Sequence, residues 1–138
     1  MKALTISDVE RVSFVLAREL LRFNEPIPDF ATRFPGRLES CLDTPLQSFG
    51  RKSLYPTLLD KAAILFYLMI KNHPFQNGNK RIAMTTLFVF LHDNGRWLKI
   101  DPHELYQFTM WIASSPAKAQ QPTVQAIATL LKQHLVTL

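Results

Sequence analysis

The feature that constrains this chain most is a pair of apolar stretches, 58–70 and 82–91, separated by a short polar run. The first is apolar almost all round, which suits a helix at the buried centre of a bundle. Pro56 is expected in its first turn, where a missing N–H costs nothing. The second stretch predicts a helix over 78–93 carrying Ile82, Ala83, Met84, Leu87, Phe88, Val89, Phe90 and Leu91. Asn94-Gly95 supplies its C-terminal stop.

The flanking segments also read as helices. Ser7 and Glu10 have the spacing of a capping box, and Val9, Val12, Phe14, Val15, Leu16, Leu20, Leu21 and Phe23 follow as a broad apolar face. Asn24, Pro26 and Pro28 end that helix, and 25–35 reads as an irregular loop. A short helix is expected over 37–42. Residues 44–55 contain Pro, Gly and alternating apolar positions, a pattern better suited to a hairpin or flap than to a helix. An extended connector over 97–100 leads to Asp101-Pro102-His103-Glu104, which opens another helix, with a last one over 123–135. The expected fold class is all-α, one domain over 1–138, with one small hairpin.

Composition narrows the setting. With 138 residues, 47% of them hydrophobic, the chain suits one globular domain and is not low-complexity. Cys41 is the only cysteine, so no intrachain disulfide can form, and beside Leu42 it reads as a small core residue. Asp8, Glu10, Arg11, Arg18 and Glu19 interrupt any secretory apolar segment. The longest apolar run, 62–70, is far too short to span a membrane. A soluble, cytoplasmic protein is therefore expected. The net charge of +5 and pI near 9.6 suit an anionic partner. Basic residues are spread along the chain, however, and no Lys/Arg run or recognition-helix pattern points to nucleic acid. His92, His103 and His134 share no metal-site spacing. Trp97 and Trp111 read as core or helix-packing residues, and Glu39 as a hydrogen-bonding or solvated charge.

The chemistry concentrates in His73-Pro74-Phe75-Gln76-Asn77-Gly78-Asn79-Lys80-Arg81. Pro74 cannot continue a helix, which leaves His73 at a chain reversal, free to face solvent from a rigid base. Phe75 is apolar inside a polar loop and is expected to plug into the core. Gly78 lets the backbone approach a ligand closely. Asn79, Lys80 and Arg81 open the next helix, whose N-terminus carries about half a unit of positive charge. Two cations there lack a stability rationale unless an anion binds, and phosphate oxygens fit such a seat. A histidine about one turn away can take a proton from an attacking hydroxyl. Each residue has a structural reading when taken singly; together they outline a site for phosphoryl or nucleotidyl transfer.

This run resembles the signature of the Fic/Doc family, H-x-F-x-[D/E]-[G/A]-N-[G/K]-R, and departs from it only at Asn77. The resemblance extends through Leu38-Glu39-Ser40 and Leu54-Tyr55-Pro56 to about Gly95. It implies a Fic-type helical bundle that binds ATP with Mg²⁺, with 44–55 as the flap that aligns a target peptide. It implies that His73 is the general base for a target Ser, Thr or Tyr hydroxyl, and that Phe75 anchors the loop. By the same resemblance Gly78, Asn79 and Lys80 line an anion hole, with Asn79 and Arg81 touching phosphates. The metal ligand falls on Asn77, where the family has a carboxylate; a neutral amide is a weaker ligand for Mg²⁺.

The Asn-Lys-Arg ending is similar to the Doc branch, whose members are toxins that phosphorylate a threonine of elongation factor Tu and arrest translation. Most adenylyltransferases of the family have Gly at the position of Lys80 and a second Arg about one turn after Arg81, where this chain has Thr85. No Glu is followed by Gly or Asn, so the resemblance implies inhibition in trans by an antitoxin rather than by an internal helix. The leading expectation is a γ-phosphate transferase of a toxin–antitoxin pair. The alternatives are a protein adenylyltransferase (AMPylation) on the same fold and a catalytically silent binding module, the latter favoured by Asn77.

Overall fold

A computed structural model of the chain describes residues 1–20 and 26–138. The expectation of an all-α fold with a small hairpin agrees with it. The centre is the pair α4 (Leu58–Lys71) and α5 (Asn79–Asp93), packed on each other, with α6 (Pro102–Ser114) against both and α7 (Gln120–His134) against α4. Ile64, Phe66, Met69, Ile70, Ile82, Met84, Leu87 and Leu91 are fully buried at this centre. Burial of an aliphatic or aromatic side chain stabilises by about 1.5–3 kcal/mol, so this pair is where the fold gains most.

The N-terminal helix departs from expectation in two ways. Thr5, not Ser7, caps it: the Thr5 hydroxyl accepts from the Asp8 N–H at 3.1 Å, and the Asp8 carboxylate accepts from the Thr5 N–H at 3.0 Å. The Thr-x-x-Asp pattern lies two residues ahead of the Ser-x-x-Glu that was read, and it meets the same need. The helix then runs as α1 (Ile6–Asp8), a π-helical stretch Val9–Ser13, and α2 (Phe14–Leu20). The wider π turn changes the phase of the buried face. Val9, Ser13, Phe14 and Ala17 are buried, whereas Val12 and Val15, read as part of the apolar face, are exposed. The expected contributions of Leu21, Phe23 and the Leu20 side chain, and the stop at Asn24, lie outside the described residues.

The segment after Pro26 carries a 3₁₀ turn, Phe30–Thr32, and leads into α3 (Arg37–Asp43). A second 3₁₀ turn, Thr44–Leu46, precedes the hairpin β1 (Ser48–Phe49) and β2 (Lys52–Ser53). The strands pair antiparallel, Ser48 with Ser53 and Phe49 with Lys52, around Gly50 and Arg51, both at positive φ as a two-residue reversal requires. Pro56 lies just outside α4 rather than in its first turn. Thr57 is the cap, accepting from the Asp60 N–H at 3.0 Å, and the Asp60 carboxylate accepts from the Thr57 N–H. A full capping box stabilises the end better than a proline alone.

The expected connector over 97–100 is in part a strand, β3 (Arg96–Leu98), paired antiparallel with β4 (Leu135–Thr137), so the last helix ends at His134 and begins earlier than expected, at Gln120. Two three-residue strands, Arg-Trp-Leu and Leu-Val-Thr, far apart in the chain carry no periodic signal of pairing. Neither tryptophan is core: Trp97 is 39% exposed and lies on Phe88 at 4.7 Å with His92 edge-on, and Trp111 is 49% exposed and lies on Phe108 at 5.3 Å between ring centroids. Among the described residues no helix is long and apolar enough to cross a membrane.

Candidate active site

The motif loop joins the C-terminal end of α4 to the N-terminal end of α5. Asn72 closes α4, and His73 follows at φ 45°, a left-handed conformation that side chains rarely adopt. The loop therefore turns away from the helix at once and leaves His73 exposed, while Pro74 and Phe75 turn inward and are buried. Phe75 packs in a three-ring cluster with Phe14 at 5.5 Å and Phe30 at 5.8 Å, and those two meet edge to face at 5.4 Å. Such ring pairs add about 0.5–1.5 kcal/mol each beyond their buried area.

Asn79 is 7% exposed and locks the loop from within. Its Oδ1 accepts from the Phe75 N–H at 3.0 Å, and its Nδ2 donates to the Phe75 carbonyl at 2.9 Å. The side chain read as a phosphate contact thus has both ends on the loop backbone. Arg81 is 6% exposed and donates to the Ala17 carbonyl; one turn on, the Thr85 hydroxyl donates to the Ser13 carbonyl at 2.7 Å. The two donors are four residues apart on α5 and the two carbonyls four apart on the N-terminal helix, so together they set the register of that packing.

Gly78 caps α5 at φ 72°. A Cβ there would lie 2.6 Å from Ile27 Cδ1 and 2.9 Å from the Pro26 carbonyl oxygen. The close approach read as room for a ligand is, in the fold, an approach to the chain's own Pro26-Ile27. Gly78 offers no side-chain cap, and the first turn of α5 holds Lys80 and no acid. Lys80 is half-buried, so one cation stands beside the positive end of the helix dipole.

One part of the arrangement was missed in the sequence. Residues 26–37 run alongside the motif loop in the opposite direction and touch it at successive points. Arg37 Nη1 donates to the His73 carbonyl at 3.3 Å, and the Phe34 N–H donates to the Pro74 carbonyl at 2.9 Å. Phe30 meets Phe75, and Ile27 meets Gly78. The only signal in sequence was that Ile27, Phe30 and Phe34 are large apolar residues in a segment otherwise read as loop.

Phosphate oxygens fit this site: an exposed histidine, a helix start closed by no side chain, and a lysine in its first turn. A protein-held Mg²⁺ does not. Asn77 is the residue at the expected ligand position, and its Oδ1 accepts from the Gly78 N–H at 2.8 Å. Among the described residues no three His, Cys, Asp or Glu side chains gather as a metal site.

This combination of a central helix pair with a His-x-Phe loop at its turn defines a known class: the profile of the Fic/DOC family matches residues 4–91, and the chain belongs to that family. No solved structure matches it. Over 66 residues the chain is 38% identical to Toxin Doc of Mycolicibacterium smegmatis, a stretch that is 48% of this chain and 51% of that protein. The chain thus spans about half the length of the curated relative it matches.

Proposed function

We propose that the chain is a Doc-like toxin that transfers the γ-phosphate of ATP to a protein hydroxyl, a threonine of elongation factor Tu by resemblance, and so arrests translation. The observation that carries the reading is His73, exposed at φ 45° just ahead of an α5 N-terminus that has no side-chain cap and holds Lys80. In the proposed step the target oxygen bonds to the γ-phosphorus as the bond to the β-phosphate oxygen breaks, and ADP leaves. The hydroxyl proton passes to the His73 imidazole. Lys80 and the α5 N-terminus hold phosphate charge, while Phe75, Gly78, Asn79 and Arg81 form the rigid frame beneath them. Any Mg²⁺ would be held chiefly by phosphate oxygens, since Asn77 contributes no carboxylate. The similarity to a protein named Toxin Doc supports an antitoxin as partner, and a basic chain suits an acidic one.

The test offers elongation factor Tu to the protein with ATP labelled at either the α- or the γ-phosphate. Transfer of γ-label alone is expected, falling by about a hundredfold or more in His73→Ala. Transfer of α-label would make the chain an adenylyltransferase. Nucleotide binding without transfer of either label would favour the silent binding module, the reading to which Asn77, with its oxygen already engaged, lends weight.

A further inference from the structure

We infer that Arg37 is a positioning residue for His73, setting the direction of its imidazole through the main chain. The inference rests on the reading of His73 as the transferring base, and it concerns a residue outside the motif. His73 is the only non-glycine residue at positive φ among those described besides Arg51 of the hairpin turn. A conformation of that kind persists only where its surroundings over-determine it. Two neighbouring carbonyls of the loop are held from one short segment: Pro74's by the Phe34 N–H at 2.9 Å and His73's by Arg37 Nη1 at 3.3 Å.

Arg37 is itself held in place. Its guanidinium lies over the Phe34 ring at 4.3 Å, so the plane that carries its donors is set by the residue that holds Pro74. Its backbone begins α3, whose entry is closed by the Glu39 carboxylate accepting from the Gly36 N–H at 2.6 Å. Farther along α3, Cys41 Sγ meets Asn72 Nδ2 at 3.9 Å, next to His73 in the chain. α3 thus reaches His73 and the residue before it, and Arg37 supplies the contact on His73 itself. The side chain is exposed, so its replacement leaves no cavity, and loss of function there would have to act through the loop.

Arg37→Met keeps an apolar stem over Phe34 and removes the donors; Arg37→Lys keeps a cation and a donor. The C2–H resonances of the four histidines report both variants, with His92, His103 and His134 as controls of the fold. In Arg37→Met we expect His73 alone to move, and Arg37→Lys to return it towards the wild-type position. In the transfer assay Arg37→Met should lower kcat about tenfold, as loss of a charged hydrogen bond would, with KM for ATP changed less than about twofold. A His73 resonance that stays in place in Arg37→Met, or a rise in KM at unchanged kcat, would overturn the inference. Transfer that survives in His73→Ala would sink the base assignment instead, and the resonances would still decide Arg37.

Discussion

The two central helices begin in opposite ways. At α4 the Thr57 hydroxyl and the Asp60 carboxylate close the first turn upon itself, and the acid complements the helix dipole. At α5 the cap is Gly78, the first turn holds Lys80 instead of an acid, and the preceding loop is held in shape by another part of the chain. The first end is optimised for stability by residues within four positions of it. The second gives up that local stabilisation and is supported from a distance, and its first turn carries a lysine where the first helix has an acid. On the proposed function, two helices that share one core divide labour, one end for folding and the other for binding.

The comparison is tested most severely at Gly78. Gly78→Ala should cost about 3 kcal/mol, combining left-handed strain with the clash against Pro26 and Ile27. Gly36→Ala, also at positive φ but with nothing within 4 Å, should cost only about 1 kcal/mol. Equal denaturant midpoints for the two variants would mean that the approach to Ile27 contributes nothing. A crossed pair sharpens the contrast further. Lys80→Ala should weaken ATP binding about tenfold at little cost in stability, whereas Thr57→Ala should lower stability by about 1 kcal/mol and leave binding alone. Calorimetric titration beside urea unfolding reads both, and a reversed pattern would break the division of labour.

The smallest effect concerns pH. The carboxyl of Asp8 is held below its ordinary value chiefly by the Thr5 backbone N–H. Its contribution to stability is therefore complete above the ordinary carboxylate range and lost as pH falls through the depressed value. Asp8→Asn should trail the wild type at neutral pH, and the gap in urea midpoints should close on acidification. A gap that widens in acid would reverse the assigned sign.

Local patterns were legible in sequence and long-range ones were not. Residues 58–70 and 82–91 are apolar over enough turns that no other element fits them, and Asp101-Pro102 caps α6 as its residue types demand. The motif run could be placed between the central helices because Pro74 and Gly78 punctuate it. The start at Thr5 was missed because two overlapping capping patterns compete within six residues. The β3–β4 pair was missed because each strand is three residues long and the partner lies far along the chain. In the candidate site, Asn79 and Arg81 were read for their polarity, yet both side chains are buried and bonded to backbone: Asn79 to Phe75 within the loop itself, and Arg81 to Ala17, which only the folded chain brings near. Arg37 drew no attention at all, since nothing local marks a contact made with a residue 36 positions later.

That antiparallel run beside the motif has a consequence for how the molecule comes into being. A contact across 36 positions requires closing a long loop before it gives any return, whereas the turn joining α4 to α5 is local. A partly folded chain in which those two helices have already paired would possess every residue of the motif but not their arrangement. Competence would then arrive with the last long-range docking rather than with the appearance of helix, and a probe of helix content and a probe of nucleotide binding would follow different time courses during refolding.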